Sequence, residues 1–297
     1  MKINKILKNY DIKPCGYQKV GKIVIVDDHG KKYVYKEGQI DLQIFDYLKS
    51  RNFDYMPSFL NGKMDNYRLS RYIENFDIPS EQKMLDLVHI VALLHLKTTH
   101  YKEIDLDFYE RIYDDLDNNL KYLYSYYTDL ITTIETKVYM SPCQQLLARN
   151  ISQIYDMISE NKKNLDRWHL LIKEKRKQRM CVIHNNLKLS HFLENDNCYL
   201  ISWDKAKIGS PIFDLYKLYM NHGLDFDFEV LFKTYEKYYP LFDDERLLLY
   251  ILITQVKPLD FNNTEYQNCL NISNMLNLIY KAKELEKKFK DTNKQKS

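Results

Sequence analysis

No glycine occurs from Lys63 to Lys207. Glycine is the residue that most readily takes a positive φ in tight turns. A stretch this long without one predicts a middle built from helices with few special turns. The chain has 297 residues, 45% of them hydrophobic and 29% charged, with 26 Tyr against only 7 Gly. That is an ordinary globular composition, long enough for one large domain or for two lobes sharing a cleft.

The first 78 residues read differently from the rest. KIVIVDD (22–28) is β-branched, His29-Gly30 follows, and KKYVYKEG (31–38) alternates again. This predicts a hairpin with glycine in its turn. Period-two alternation puts Val34 and Lys36 on one face and Tyr33 and Tyr35 on the other. IDLQIFDYLKSRNF (40–53) has helical apolar spacing, and YRLSRYIE (67–74) reads as a further strand. GYQKVGKI (16–23) matches the phosphate-binding pattern G-x-x-x-x-G-K-[ST] except at Ile23. The strand-like IVIV that follows excludes the helix such a loop must open, so a glycine turn between strands is expected.

After Pro79 the texture becomes helical, with Ser80 as the expected N-cap. Long amphipathic segments rich in Tyr, Leu and Ile follow, punctuated by Ser141-Pro142. The expected division is an N-terminal lobe, 1–78, and a helical C-terminal lobe, 79–297. The second holds a helical insert at about 103–179 and a loop region at 181–219.

Charge and cysteine usage narrow the function classes. Lys281 to Ser297 holds seven Lys and three acids, so this tail carries +4 and the remainder −1 of the net +3. The body is therefore no basic nucleic-acid platform, and the tail reads as a solvated helix end. The five Cys form no C-x-x-C pair, and free thiols in a cytoplasmic compartment are expected. LLLYILI (247–253) is too short to span a bilayer. His89, His95 and His100 show no metal-binding spacing and read as structural.

The region CVIHNNLKLSHFLENDNCYLISWDKAKIGSPIFDLYKLY (181–219) carries the chemistry. Two short apolar runs flank a polar turn, and Asp204 and Asp214 follow. Phosphoryl transfer needs cations on the phosphates, carboxylates for Mg²⁺ and a carboxylate near the acceptor hydroxyl. Lys36, next to Val34 on its strand face, offers the cation; Asp204, just after a buried strand, offers a metal carboxylate. Asp41, or else Asp46, offers an acid on the following helix to pair with Lys36. Asp214 reads as structural, at the start of a helix.

This block resembles the aminoglycoside phosphotransferase and choline-kinase branch of the protein-kinase-like fold. Within that branch it is most similar to CotS-like spore-coat proteins. His184-Asn185-Asn186 stands where the family has H-G-D, and His191 stands where it has Asn, five residues after Asn186. Asp204 follows His184 by twenty residues, and Gly209-Ser210-Pro211-Ile212-Phe213-Asp214-Leu215 matches G-[DS]-P-x-x-D-L. The resemblance implies a two-lobed α+β fold and an ATP site. Lys36, Val34 and Asp41 would serve the nucleotide, Asp204 and His191 the metal, and His184 and Asn186 the catalytic loop. The base and ribose would touch the Arg68–Tyr72 segment.

The departures are chemical. An amide at 186 has no basic site to take a proton from a hydroxyl. An imidazole at 191 is a poor partner for Mg²⁺, which prefers oxygen. The reading is a pseudokinase or a strongly slowed kinase that binds ATP and Mg²⁺ weakly, acts as a scaffold and serves spore-coat assembly. Its partners would be spore-coat proteins or a small hydroxylated ligand, and it would be cytoplasmic or part of the spore coat. Two alternatives stay open: an active small-molecule O-phosphotransferase, and a helical interaction protein without nucleotide.

Overall fold

A computed structural model describes residues 2–38, 42–60 and 66–294. In chain order the elements are α1 (Lys2–Lys8), β1 (Gly16–Val20), β2 (Ile23–Asp28), β3 (Lys31–Glu37), α2 (Leu42–Ser50), β4 (Tyr67–Arg71) and α3 (Ser80–Thr98). There follow β5 (His100–Glu103), α4 (Leu106–Glu135), α5 (Pro142–Lys173), β6 (Lys177–Ile183), β7 (Phe192–Glu194), β8 (Cys198–Leu200) and β9 (Lys207–Gly209). The chain closes with α6 (Ile212–His222), α7 (Phe228–Glu236), α8 (Asp243–Ile253) and α9 (Glu265–Lys294). Two compact units result: residues 1–99 with 181–209, and residues 100–180 with 210–297.

The first unit is built on a four-stranded antiparallel sheet in the order β1-β2-β3-β4. Both hairpins have two-residue loops. Val20 pairs with Ile23 around Gly21, at φ 57°, and Asp28 pairs with Lys31 around His29 and Gly30, at φ 49° and 90°. Two successive positive φ values give the turn twist that matches paired strands. GYQKVGKI is thus a β-hairpin, as its strand-like sequel requires. Alternation then sorts the side chains. Val26, Tyr35 and Leu69 lie on one face and pack with Ile3 and Leu7 of α1 and with Ile12. Val34 and Lys36 lie on the other, together with Ile25, Arg68 and Ser70, their cross-strand partners.

Helix α2 buries Ile44, Phe45 and Leu48. Phe45 meets Phe59 and Trp203 edge-on at 5.3 and 5.8 Å, and Phe53 meets Trp203 at 6.2 Å. Helix α3 buries residues in most directions, from Met84 to Thr98, as a helix enclosed by its unit must. His95 is among them, in keeping with a structural role. The Thr98 hydroxyl accepts from the backbone N–H of Val182 at 3.0 Å, tying the end of β6 to α3. Ser80 is not the N-cap: Pro79 holds that position, and the Ser80 hydroxyl donates to the Glu81 carboxylate at 3.1 Å. The preceding proline, with φ already fixed, starts the helix without a capping side chain.

The second unit is helical around an antiparallel α4–α5 pair. Asp105 accepts from Phe108 N–H at the start of α4, and Pro142 occupies the first turn of α5, where its missing N–H costs nothing. Asp117 of α4 lies between Lys121 and Lys162, both at 2.6 Å. Arg179 of β6 is buried with Glu245 of α8, and its guanidinium lies 4.1 Å from the ring centroids of both Tyr239 and Phe242. Removing one partner of such a pair leaves a buried charge alone. Arg179→Met is expected to cost about 3–5 kcal/mol in urea unfolding. Adding Glu245→Leu should recover much of the loss. A single substitution no worse than the pair would show that Glu245 carries no buried charge.

Candidate functional site

The site belongs to the first unit and is assembled by the backbone between β6 and β9. At the end of β6, His184 is fully buried. Its Nε2 donates to the carbonyl of Ile201 at 2.8 Å, and its ring meets Trp203 edge-on at 4.9 Å. Asn185 adopts φ 55°, the left-handed region that favours glycine and that Asn tolerates best among other residues. Its amide donates to the carbonyl of Lys205 at 3.3 Å. This is the position where the sequence pattern has glycine, and the backbone here keeps a glycine-like conformation.

Asn186 is half-buried. Its backbone carbonyl accepts from Nδ1 of His191 at 2.8 Å, and the His191 carbonyl accepts from Ile201 N–H at 2.9 Å. His191 therefore braces the loop, joining Asn186 to the segment after β8. Ser202, at φ 66°, turns the chain so that Trp203 is buried beneath while Asp204 emerges in the next turn. Asp214 is buried in the first turn of α6, in the helical unit.

Lys36 and Asp204, 168 positions apart, meet directly: Nζ donates to Oδ2 at 2.5 Å. Arg68 donates from Nη2 to Oδ1 of the same carboxylate, and from Nε to the carbonyl of Gly38 at 3.2 Å. Lys36 and Arg68 are direct cross-strand partners on β3 and β4, so both reach the same carboxylate from one sheet face. Burial pushes the Asp204 carboxyl up, but hydrogen bonds and charge from Lys36 and Arg68 outweigh it and hold the group below the usual Asp value. Val34 lies two residues before Lys36 on the same face.

Of the acids expected to pair with Lys36, Asp41 lies outside the described residues and Asp46 is exposed on α2; among the described residues, Asp204 is a carboxylate that holds Lys36. Arg68, singled out from the sequence only as part of a segment beside the base, is the second cation of the cluster. Its one sequence signal is the R-L-S-R alternation of β4, which does not reveal that residue 68 faces residue 36.

The donors do not fit a magnesium ion as they stand. Each oxygen of Asp204 already holds a protein cation, and His191 spends one ring nitrogen on the loop backbone. Among the described residues no three His, Cys, Asp or Glu side chains converge as a metal site.

A carboxylate with a lowered folded pKa adds stability above the ordinary Asp value and loses it as pH falls through the folded value. At neutral pH, Asp204→Asn should lower the melting temperature, because two facing cations lose their counter-ion. The gap to wild type should close as pH falls through the lowered folded value of Asp204, below which both side chains are neutral. Thermal unfolding across that range checks this; a gap independent of pH would show that ionisation of Asp204 is not what matters.

No protein-family model matches the sequence, and no curated protein matches it. Solved structures do. An aminoglycoside phosphotransferase from Alicyclobacillus acidocaldarius superposes with a TM-score of 0.64 at 13% identity, covering 98% of this chain and 94% of that one. A spectinomycin phosphotransferase in complex with ADP and spectinomycin gives 0.54 at 13% identity, covering 96% and 98%. The AMP-bound complex of spectinomycin phosphotransferase gives 0.53 at 13% identity, covering 98% and 93%. No described helix is long and apolar enough to cross a membrane. The strand-rich sheet with its helices, the helical unit and these likenesses together give the chain the protein-kinase-like α+β fold of the aminoglycoside phosphotransferases.

Proposed function

We propose that this protein binds ATP on the Lys36 face of its sheet and that phosphoryl transfer there is lost or severely slowed, leaving a binding or scaffold protein. The observation that carries the reading is Asn186. It occupies the loop position from which a carboxylate takes the acceptor's proton, and an amide cannot do so. A missing general base costs about 10²–10⁴ in rate. The surrounding loop is otherwise well ordered by hydrogen bonds: His184 and His191 hold its backbone, and Asn185 keeps the left-handed turn. A braced loop without its base fits retained architecture and altered chemistry.

Nucleotide binding is supported by Lys36 and Arg68 on one face and by the half-buried Val34 beside them, an apolar surface for a base. The ADP and AMP complexes of the spectinomycin enzyme add support by likeness of fold. The similarity of residues 181–219 to CotS-like proteins supports a role in spore-coat assembly, with coat proteins as partners.

Thermal shift with ATP is the direct test. Ligand at about 100 times its Kd adds about 2.7 kcal/mol to a protein that binds it only when folded. Stabilisation by ATP, without phosphate transfer to hydroxylated metabolites, is the expected result. Turnover at ordinary kinase rates, about 1–100 s⁻¹, overturns the reading in favour of an active small-molecule O-phosphotransferase. No shift with any nucleotide overturns it in favour of an interaction protein.

A further inference from the structure

We propose that this site takes the polyphosphate of a nucleotide without a divalent metal, with Arg68 in the metal's place on Asp204. The inference rests on the nucleotide-binding reading above and goes beyond it. A metal in such a site bridges a carboxylate of the protein and the phosphates of the ligand. Here the carboxylate is already bridged, by an ammonium on Oδ2 and a guanidinium on Oδ1.

Neither cation is exhausted by that contact. An ammonium has three N–H donors and a guanidinium five. Lys36 spends one on Asp204, and Arg68 spends one on Asp204 and one on Gly38. Among the described residues' contacts, two remain on Lys36 and three on Arg68. Among the described residues, two cations against one carboxylate also leave the cluster with one positive charge. Fixed, partly desolvated donors of this kind suit phosphate oxygens, and the planar fork of Arg suits them in pairs.

Magnesium competes poorly for the same carboxylate. It demands near-octahedral oxygen ligands and gives up its waters reluctantly. To enter, it must displace a guanidinium whose side chain is only 12% exposed and which is anchored a second time on the Gly38 carbonyl. Gly38 itself takes φ 108°, a backbone that presents this carbonyl and that other residues rarely adopt. Among the described residues no cluster of acids stands ready to repay the exchange, and residue 191, the other metal position of the pattern, is a backbone-bound imidazole.

Calorimetric titration with ATP and with inorganic triphosphate tests this, each in EDTA and in excess magnesium. For the wild type, affinity in EDTA should equal or exceed that with magnesium. Arg68→Ala should weaken binding about tenfold in EDTA, equivalent to about 1.4 kcal/mol. Magnesium should then recover part of the loss, because Oδ1 of Asp204 is open to it. Arg68→Lys, which keeps the charge and loses the fork, should fall between the two, and circular dichroism of each variant confirms that it folds. Wild-type binding that requires magnesium overturns this proposal and leaves the nucleotide reading standing. Absence of binding by both ligands in both conditions overturns the two together. The wild-type comparison decides between these outcomes without any variant.

Discussion

A carboxylate held between two cations organises the first unit. Lys36 and Arg68 face each other on neighbouring strands, an arrangement that repels unless something negative lies between them. Asp204 supplies that charge and divides its oxygens between them. The contact joins the sheet to the loop that carries His184, Asn186 and His191. Everything that places Asp204 serves it: the Ile201 carbonyl on His184, the burial of Trp203 against Phe45 and Phe53, and the left-handed turn at Ser202.

That turn is a cost the surroundings must hold in check. A non-glycine residue in a sparsely populated backbone region costs about 1–3 kcal/mol, and Ser202 is one such residue, with Asn185 a milder case. Both lie in the short segments that present the loop. Strain concentrated there, with the amide of Asn185 and the ring of His191 bonded to nearby carbonyls, describes a loop kept in one conformation by several weak ties. That order surrounds an amide at residue 186, a group with no basic site.

Local patterns carried much of this into the sequence. The alternation in 22–37, with His29-Gly30 between its halves, specifies the hairpin and the face of Lys36, because a strand's period leaves no freedom once one face is apolar. The strand–turn–strand texture of 181–204 likewise specifies where His184 and Asp204 fall. Cross-strand register was not legible. Nothing in YRLSR says that Arg68 faces Lys36, so the second cation of the cluster carries no signal in the sequence. The Ser80 cap failed for a local reason: a proline immediately before it had already set the helix start.

The first unit is discontinuous in the chain, residues 1–99 joined by 181–209, with the α4–α5 pair made in between. During synthesis at about 5–20 residues per second, Asp204 emerges on the order of ten to thirty seconds after Lys36. For that interval the nascent sheet carries Lys36 opposite Arg68 without Asp204, and Phe45 has no Trp203 to cover it. The order of translation thus makes this sheet a late-completed structure, finished only once residue 204 has left the tunnel.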